Sequence, residues 1–129
     1  TDCASQTQSM TVYADAYPLS RETMDWFIGH YAPAASDLSD PRLSPLKADA
    51  LSGLAPAIVV TAGFDPLVDQ GEAYAHRLQE AGVPVVYRCY DSLCHGFTAM
   101  GGMIPAADVA CREIAGLLRE AYEGRLQAL

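Results

Sequence analysis

The stretch AIVVTAGFDPLVDQG, residues 57–71, decides the fold. Its first six residues, 57–62, are small or β-branched without a break, a pattern typical of a strand buried on both faces of a parallel sheet. Small and apolar side chains then recur at helical spacing over residues 69–81, and Gly82 ends that predicted helix. The chain therefore passes from a buried strand directly into a helix, as the first half of a βαβ unit does.

A second strand and a last helix follow this unit. Pro84 opens a strand predicted over residues 85–90, at a position where its missing N–H is tolerated. A helix predicted over residues 106–122 carries alanine, isoleucine and leucine on one face. A strand, a helix and a strand joined by short links close right-handed, so the order of elements implies a parallel sheet.

The first part of the chain carries one predicted helix. Residues 1–19 are polar and lack periodicity, which predicts a loop, and Ser20 is a good N-cap for the helix that follows. The apolar residues of that helix share one face: Met24, Phe27, Ile28 and Tyr31. Trp26 lies on the opposite face. A short helix with apolar groups on both sides fits a lid over a pocket.

A proline-rich connector occupies residues 33–56. Its length is uncommon for a segment without a function or packing of its own, and its leucines predict that it is anchored. We therefore divide the chain into a cap helix and connector, residues 1–55, and a C-terminal βαβα unit, residues 56–129.

An aspartate and a histidine follow the two predicted strands. Asp65 comes shortly after the first strand and His95 shortly after the second. Active groups of open α/β sheets gather at the carboxyl ends of the strands, so these two side chains are predicted to meet there. A carboxylate beside an imidazole fixes its tautomer and stabilises the imidazolium. Pro66 keeps Asp65 out of the helical region, and Gly96 lets the backbone bend beside His95.

The neighbouring polar residues have simpler interpretations. Asp65 could cap the helix that follows it, but Asp69 is better placed for that role. We interpret Asp69 as a structural cap, with the alternative that it orients the loop carrying the pair. His30 and His76 fall on polar helix faces and are interpreted as structural.

Charge and hydropathy exclude several classes of partner. The net charge is −8, and the eight basic residues are scattered, which argues against nucleic acid. No apolar run is long enough to cross a bilayer, and the first residues do not form a signal peptide. The four cysteines form no CxxC pair, so we expect reduced thiols, with Cys89 and Cys111 buried, and a cytoplasmic location.

A metal site is the first rival interpretation of the same region. Its candidate ligands are Asp65, Cys89, Cys94 and His95, but their spacing matches no recognised ligand pattern. No metal is therefore expected.

Several motifs together resemble one family. The run at 65–74, the turn at 81–84 and the tripeptide at 95–97 resemble the C-terminal part of the hormone-sensitive-lipase-like esterases, also called bacterial family IV carboxylesterases. The helix at 26–31 and the segment at 44–46 are similar to that family as well. The resemblance implies the C-terminal portion of an α/β-hydrolase fold: the last two parallel strands with flanking helices, plus a cap-type helix.

The resemblance also implies roles. Asp65 and His95 correspond to the acid and base of a Ser-His-Asp triad that needs no cofactor, and the chain would begin just past the sixth of eight strands. The family's nucleophile turn and oxyanion motif lie upstream of that point, and no serine of this chain has the GxSxG setting. This chain alone is therefore predicted to be inactive. The family usually has a glycine at the position of Ser92, so the loop at 91–94 is expected to differ in shape.

Substrate and partners follow from the same resemblance. A short-chain ester would be the substrate, with Met24, Trp26 and Phe27 lining its pocket, although ordinary helix packing explains Met24 and Phe27 equally well. Phe97 would face the pocket or wedge the histidine loop. The N-terminal half of the hydrolase, on the same or a separate chain, is the expected partner. A homodimer would pair through the strand at 85–90.

Two other functions remain open on this scaffold. One is a non-catalytic ligand receptor, although His95 is retained here and such receptors lose it. The other is an arylformamidase or a peptidase, which a panel of substrates would distinguish from an esterase.

Overall fold

Two parallel strands form a sheet in the part of the chain that the structure describes. A computed structural model describes residues 1–32 and 37–125; the start of the predicted connector at 33–36 and residues 126–129 lie outside the described residues. Strand β1 (Ala57–Phe64) pairs with β2 (Val85–Cys94). Both strands run past their predicted ends, residues 62 and 90. The pairing of the two strands is irregular after Ala62 and Tyr90 but resumes with Phe64 and Cys94.

The described residues, 1–32 and 37–125, also form four α-helices. They are α1 (Gln8–Val12), α2 (Arg21–Tyr31), α3 (Val68–Glu80) and α4 (Pro105–Tyr122). Short 3₁₀ turns lie at Pro45–Lys47 and Phe97–Ala99. The order β1, α3, β2, α4 is the predicted βαβα unit.

The two faces of the sheet pack against different helices, which gives three layers. One face lies against α3 and the connector, in a cluster made of Leu51, Ala75, Leu78, Val83 and Val85. The other face lies against α4, in a cluster made of Ala62, Leu93, Phe97, Ala107 and Ala110. Side chains of a strand alternate between faces, so one apolar run serves both clusters. Apolar burial of this kind is worth about 25 cal/mol per Å².

The prediction of a loop over residues 1–19 is wrong in one place, because α1 forms there. Thr7 caps this helix by accepting a hydrogen bond from the N–H of Met10. With five residues, α1 is too short to show a helical period in the sequence. Met10 packs with Leu19 and Met24 in a third cluster that Leu67 joins.

Helix α2 begins as predicted but buries less than its apolar stripe suggests. The hydroxyl of Ser20 accepts from the N–H of Thr23, as an N-cap does. Met24 is the buried residue of the stripe, whereas Phe27 and Tyr31 are 56% and 78% exposed. The apolar face of α2 is therefore largely uncovered in this chain.

The cysteines are less buried than expected. Cys89 and Cys111 are half-buried, and all four thiols of the chain are free. Burial raises the pKa of the Cys89 thiol, which keeps it protonated at neutral pH. None of the helices in the described ranges is both long and apolar enough to cross a membrane.

Candidate active site

Asp65 and His95 lie at the same edge of the sheet, each one residue after a strand. Asp65 follows Phe64, the last residue of β1, and His95 follows Cys94, the last residue of β2. These two terminal residues are partners in the parallel ladder. The common direction of the strands therefore carries the carboxylate and the imidazole to one place.

The two side chains form a hydrogen bond. His95 Nδ1 lies 2.8 Å from Asp65 Oδ2. The carboxylate is 11% exposed and the imidazole 39%, so the acidic partner is the more enclosed of the two. A carboxylate oxygen only accepts, so Nδ1 carries the hydrogen, and a neutral ring then has its lone pair at Nε2.

The turn that follows Asp65 holds the carboxylate in place. Asp65 Oδ1 accepts from the N–H of Leu67 at 2.9 Å, and the main-chain oxygen of Asp65 accepts from Val68 at 3.1 Å. Pro66 supplies no N–H and fixes the first dihedral of the turn. Both carboxylate oxygens thus have a defined partner, which fixes the rotation of the group.

The prediction that Asp69 caps α3 is wrong. The N-cap position belongs to Leu67, which forms no side-chain capping bond. Asp69 lies one residue inside the helix, and its Oδ2 accepts instead from the N–H of Ser9 at 2.8 Å. Sequence reasoning missed this contact because the two residues are 60 positions apart and Ser9 belongs to the segment predicted as a loop.

An irregularity in the ladder brings His95 to its partner. Ala62 pairs with Tyr90, but the next pair is Phe64 with Cys94, so three residues of β2 oppose the single Gly63 of β1. A Cβ at Gly63 would lie 2.3 Å from the main-chain oxygen of Asp91. The bulge therefore requires glycine at this position. The expected difference from the family in the shape of the loop at 91–94 stays a prediction.

The backbone also turns sharply after the histidine. Gly96 has φ 72°, in the left-handed region that glycine adopts at little cost. The 3₁₀ turn at Phe97–Ala99 follows, and Phe97 is 5% exposed. Its ring packs edge-on against Tyr90, with centroids 5.3 Å apart, so Phe97 anchors the histidine loop to the core.

A pocket of about 320 Å³ opens beside His95. Its apolar walls come from α2, the segment before it and the Asp65 turn: Leu19, Met24, Phe27, Ile28 and Leu67. The structure thus brings Met24 and Phe27 to the histidine. It does not bring Trp26 there, because that ring is 58% exposed and lies on His30, with centroids 4.2 Å apart.

A second pocket, of about 390 Å³, lies on the other side of the pair. It is lined by Asp65, His95 and Phe97 together with residues of β1 and α4, among them Val60 and Ile114. His95 thus lines both pockets. Phe97 lines this second pocket and not the first, which we call the pocket under α2 because α2 supplies part of its wall.

The tyrosine nearest the histidine loop is not an acid–base group at neutral pH. Burial, together with the nearby Glu113, raises the pKa of Tyr90 to about 12. Its phenol stays protonated, and it donates to the carbonyl of Ala110 at 3.4 Å. Within residues 1–32 and 37–125, no three His, Cys, Asp or Glu side chains are arranged to hold a metal ion.

A parallel sheet between helices, with an aspartate and a histidine meeting at its carboxyl edge, fits the α/β-hydrolase class. The alpha/beta hydrolase fold family matches residues 1–99. The chain belongs to this family, which confirms the predicted fold class and the resemblance drawn from the motifs.

Two of the curated relatives are named as ester hydrolases. The chain is 42% identical to carboxylic ester hydrolase LipN of Mycobacterium tuberculosis, over 92% of this chain and 32% of that protein. It is 41% identical to ethyl acetate hydrolase of Pseudomonas putida, over 84% of this chain and 34% of that protein. The chain thus spans about a third of the length of the curated relatives it matches.

A solved structure has a similar fold. The LAE6 alpha/beta hydrolase from the metagenome of Lake Arreo, Spain, superposes with a TM-score of 0.85 at 44% identity, over 89% of this chain and 36% of that one.

Proposed function

We propose that this chain supplies the acid and the base of a serine carboxylesterase for short-chain esters. His95 is the proposed general base and then general acid, and Asp65 orients it. The relatives that support the proposal are carboxylic ester hydrolases of the same fold.

The observation that carries the proposal is the 2.8 Å hydrogen bond between His95 Nδ1 and Asp65 Oδ2. With Nδ1 protonated, Nε2 can take the proton of a serine hydroxyl as that oxygen attacks the acyl carbon. The imidazolium then returns the proton to the leaving alkoxide, and a water repeats the cycle to release the acid. Asp65 stays ionised throughout and stabilises the imidazolium.

The pocket under α2 supports a small substrate. Its volume of about 320 Å³ is at the lower end of the range for small-molecule sites. Apolar walls beside the proposed base suit a short acyl or alkyl group. Met24 and Phe27 are the proposed contacts, and nothing in the contacts of Trp26 supports that role for it.

The nucleophile and the oxyanion donors must come from other polypeptide. No serine in the sequence has the GxSxG setting, and the chain spans about a third of its curated relatives. We propose that the missing groups belong to the N-terminal part of the same hydrolase, on the same or a separate chain. Loss of a single oxyanion donor costs about 10²–10³ in kcat. Because the nucleophile is missing as well, the isolated chain should not turn over ester.

The test compares two histidine variants. In the complete hydrolase containing this chain, His95→Ala should lower kcat for a p-nitrophenyl ester by about 10⁴-fold or more. His76→Ala is the matched control, because His76 is exposed and lies beside Glu72, away from Asp65 and His95. Full activity of the His95→Ala enzyme would refute the proposed base. Steady hydrolysis by the isolated 129-residue chain that depends on His95 would refute the need for other polypeptide.

A further inference from the structure

A buried serine outside the proposed triad binds the turn that carries Asp65. Ser9, the second residue of α1, is 4% exposed. Its hydroxyl donates to the main-chain oxygen of Pro66 at 2.7 Å, and its N–H donates to Asp69 Oδ2 at 2.8 Å. One residue from a distant part of the chain therefore holds both ends of the turn from Pro66 to Asp69.

The bond to Pro66 reaches the carboxylate through a single peptide group. The oxygen of Pro66 and the N–H of Leu67 belong to the same peptide, and that N–H donates to Asp65 Oδ1 at 2.9 Å. The peptide thus accepts from Ser9 at one end and donates to Asp65 at the other. Hydrogen bonds in such a chain strengthen one another by about 10–30% each.

The chain of bonds ends on the imidazole. Asp65 uses Oδ1 for the Leu67 peptide and Oδ2 for His95 Nδ1. Because the Leu67 N–H holds Oδ1, the carboxylate of Asp65 cannot rotate freely about its Cβ–Cγ bond. The orientation of the Pro66–Leu67 peptide therefore fixes the position of Oδ2, the oxygen that faces His95. Removing the Ser9 hydroxyl leaves the buried Pro66 oxygen without its partner and frees the peptide to tilt.

We propose that Ser9 and Asp69 are positioning residues that fix the tautomer of His95 through the Pro66–Leu67 peptide and Asp65. Neither touches the reacting atoms. Asp69 acts by holding the N–H of Ser9, which places the hydroxyl against Pro66. The consequence for catalysis rests on the proposed function, whereas the consequence for the His95 ring does not.

Ordinary anchoring of the N-terminal segment makes a different prediction. That segment has a second attachment, because the N–H of Asp2 donates to the side chain of buried Gln70 at 3.0 Å. If Ser9 served only as another anchor, its loss would loosen α1 and leave the Leu67 peptide and the His95 ring unchanged.

The experiment uses NMR on the 129-residue chain carrying Ser9→Ala. Ser9→Ala should speed hydrogen exchange of the Leu67 amide about tenfold relative to the native chain, whereas the α4 amides in the same sample should keep their native exchange rates. The ¹⁵N shifts of the His95 ring should move toward a mixture of tautomers. Ser44→Ala is the matched control: Ser44 is fully buried and bonds Leu38 and Cys3, away from the Asp65 turn. Unchanged shifts in Ser9→Ala, or equal changes in Ser44→Ala, would overturn the proposal.

Two variants of Asp69 give an independent check. Asp69→Asn keeps an oxygen that accepts from Ser9 and should leave the His95 ring shifts as they are. Asp69→Ala removes the acceptor and should reproduce the shifts of Ser9→Ala. Equal spectra for the two Asp69 variants would contradict the proposed relay.

Activity of the complete hydrolase separates this proposal from the proposed function. Ser9→Ala should lower kcat for a p-nitrophenyl ester by roughly ten- to a hundredfold with KM unchanged, as a small misplacement of a catalytic group does. Ser9→Thr, which keeps the hydroxyl, should recover most of that loss. Shifted ring signals without any esterase activity in the parent enzyme would refute the proposed function alone, and unshifted signals would refute the positioning role alone.

Discussion

At Gly63 the strand that leads to Asp65 comes into close backbone contact with the strand that leads to His95. Gly63 precedes Asp65 by two positions, and its missing side chain leaves room for the main chain of Asp91, which begins the bulge leading to His95. The obstacle to a larger residue is backbone rather than a flexible side chain. A methyl group at this position must therefore move the bulge or the strand.

Gly63→Ala should lower the free energy of unfolding by about 1–3 kcal/mol, the usual cost of overpacking, and should alter the ring shifts of His95. Gly29→Ala is the control, because an added Cβ there meets nothing within 4 Å and alanine favours a helix interior. Denaturant unfolding and the ¹⁵N spectrum measure both effects. A Gly63→Ala chain with native stability and native His95 shifts would contradict this account of the bulge.

The charge of Asp65 can be tested apart from its shape. Asp65→Asn preserves volume, but its amide can donate to Nδ1 and so favour the wrong tautomer of His95. In the complete hydrolase we expect kcat to fall by about 10⁴-fold with the fold retained. Asp25→Asn, which alters only an exposed pair with Arg21, should leave kcat unchanged. A loss of less than tenfold in Asp65→Asn would contradict the role given to the carboxylate.

At the scale of elements, strong periodic patterns in the sequence predicted strands and helices. A very short capped helix and a contact between distant residues could not be predicted in this way. The unbroken run at 57–62 and the helical spacing at 69–81 predicted β1 and α3 within a few residues, because burial on a sheet dictates both patterns. Helix α1 was missed, since five residues held by a capping threonine carry no period. The pairing of Ser9 with Asp69 joins residues 60 positions apart, and no local pattern encodes it.

The segment that leads into α1 depends on a buried carboxylate. The Asp2 side chain is 1% exposed, and its Oδ2 lies 3.2 Å from Lys47 Nζ. Burial alone would raise the pKa of the Asp2 carboxyl, but hydrogen bonds from Ser5 and Ala4 and the Lys47 ammonium together lower it. A lowered pKa adds stability above the unfolded value near pH 4, and that stability is lost as pH falls through the folded pKa.

We therefore expect the free energy of unfolding to decline more steeply below about pH 4 in the native chain than in Asp2→Asn. The variant keeps an accepting oxygen but has no charge to lose. Asp15→Asn, at an exposed position, serves as the control and should follow the native curve. Denaturant unfolding at a series of pH values gives the comparison, and identical acid limbs for the native chain and Asp2→Asn would contradict it.

At the scale of the whole molecule, apolar surface remains uncovered on several sides. Phe27 and Tyr31 are exposed on α2, and Leu118 and Tyr122 are exposed on α4. In the described part of the chain the sheet has two strands, so each strand has one unpaired edge. The pairing of two copies through residues 85–90 stays a prediction, which the mass of the native chain in solution would test.

The apolar groove between the sheet and the end of α4 is where we expect the rest of the hydrolase to bind. Pro56 and Ile58 line it from the strand side, and Leu118, Ala121 and Tyr122 line it from the helix. A domain buries such surface when its sheet is complete, because open α/β sheets carry helices on both faces. The two strands that the structure describes form a sheet too small to bury this surface by itself.

Leu118→Glu should therefore prevent reconstitution without unfolding the chain, because Leu118 is 47% exposed here. The assay mixes the 129-residue chain with the N-terminal part of the hydrolase. Ester hydrolysis should appear with the native chain and be at least tenfold lower with the variant. A carboxylate buried without a partner at an interface costs about 1.4 kcal/mol or more, and that free energy corresponds to a tenfold loss of affinity. Val109→Glu is the control, since Val109 is an exposed apolar residue of α4 outside the groove. Equal activity of the two variants would show that this face of α4 does not meet the rest of the enzyme.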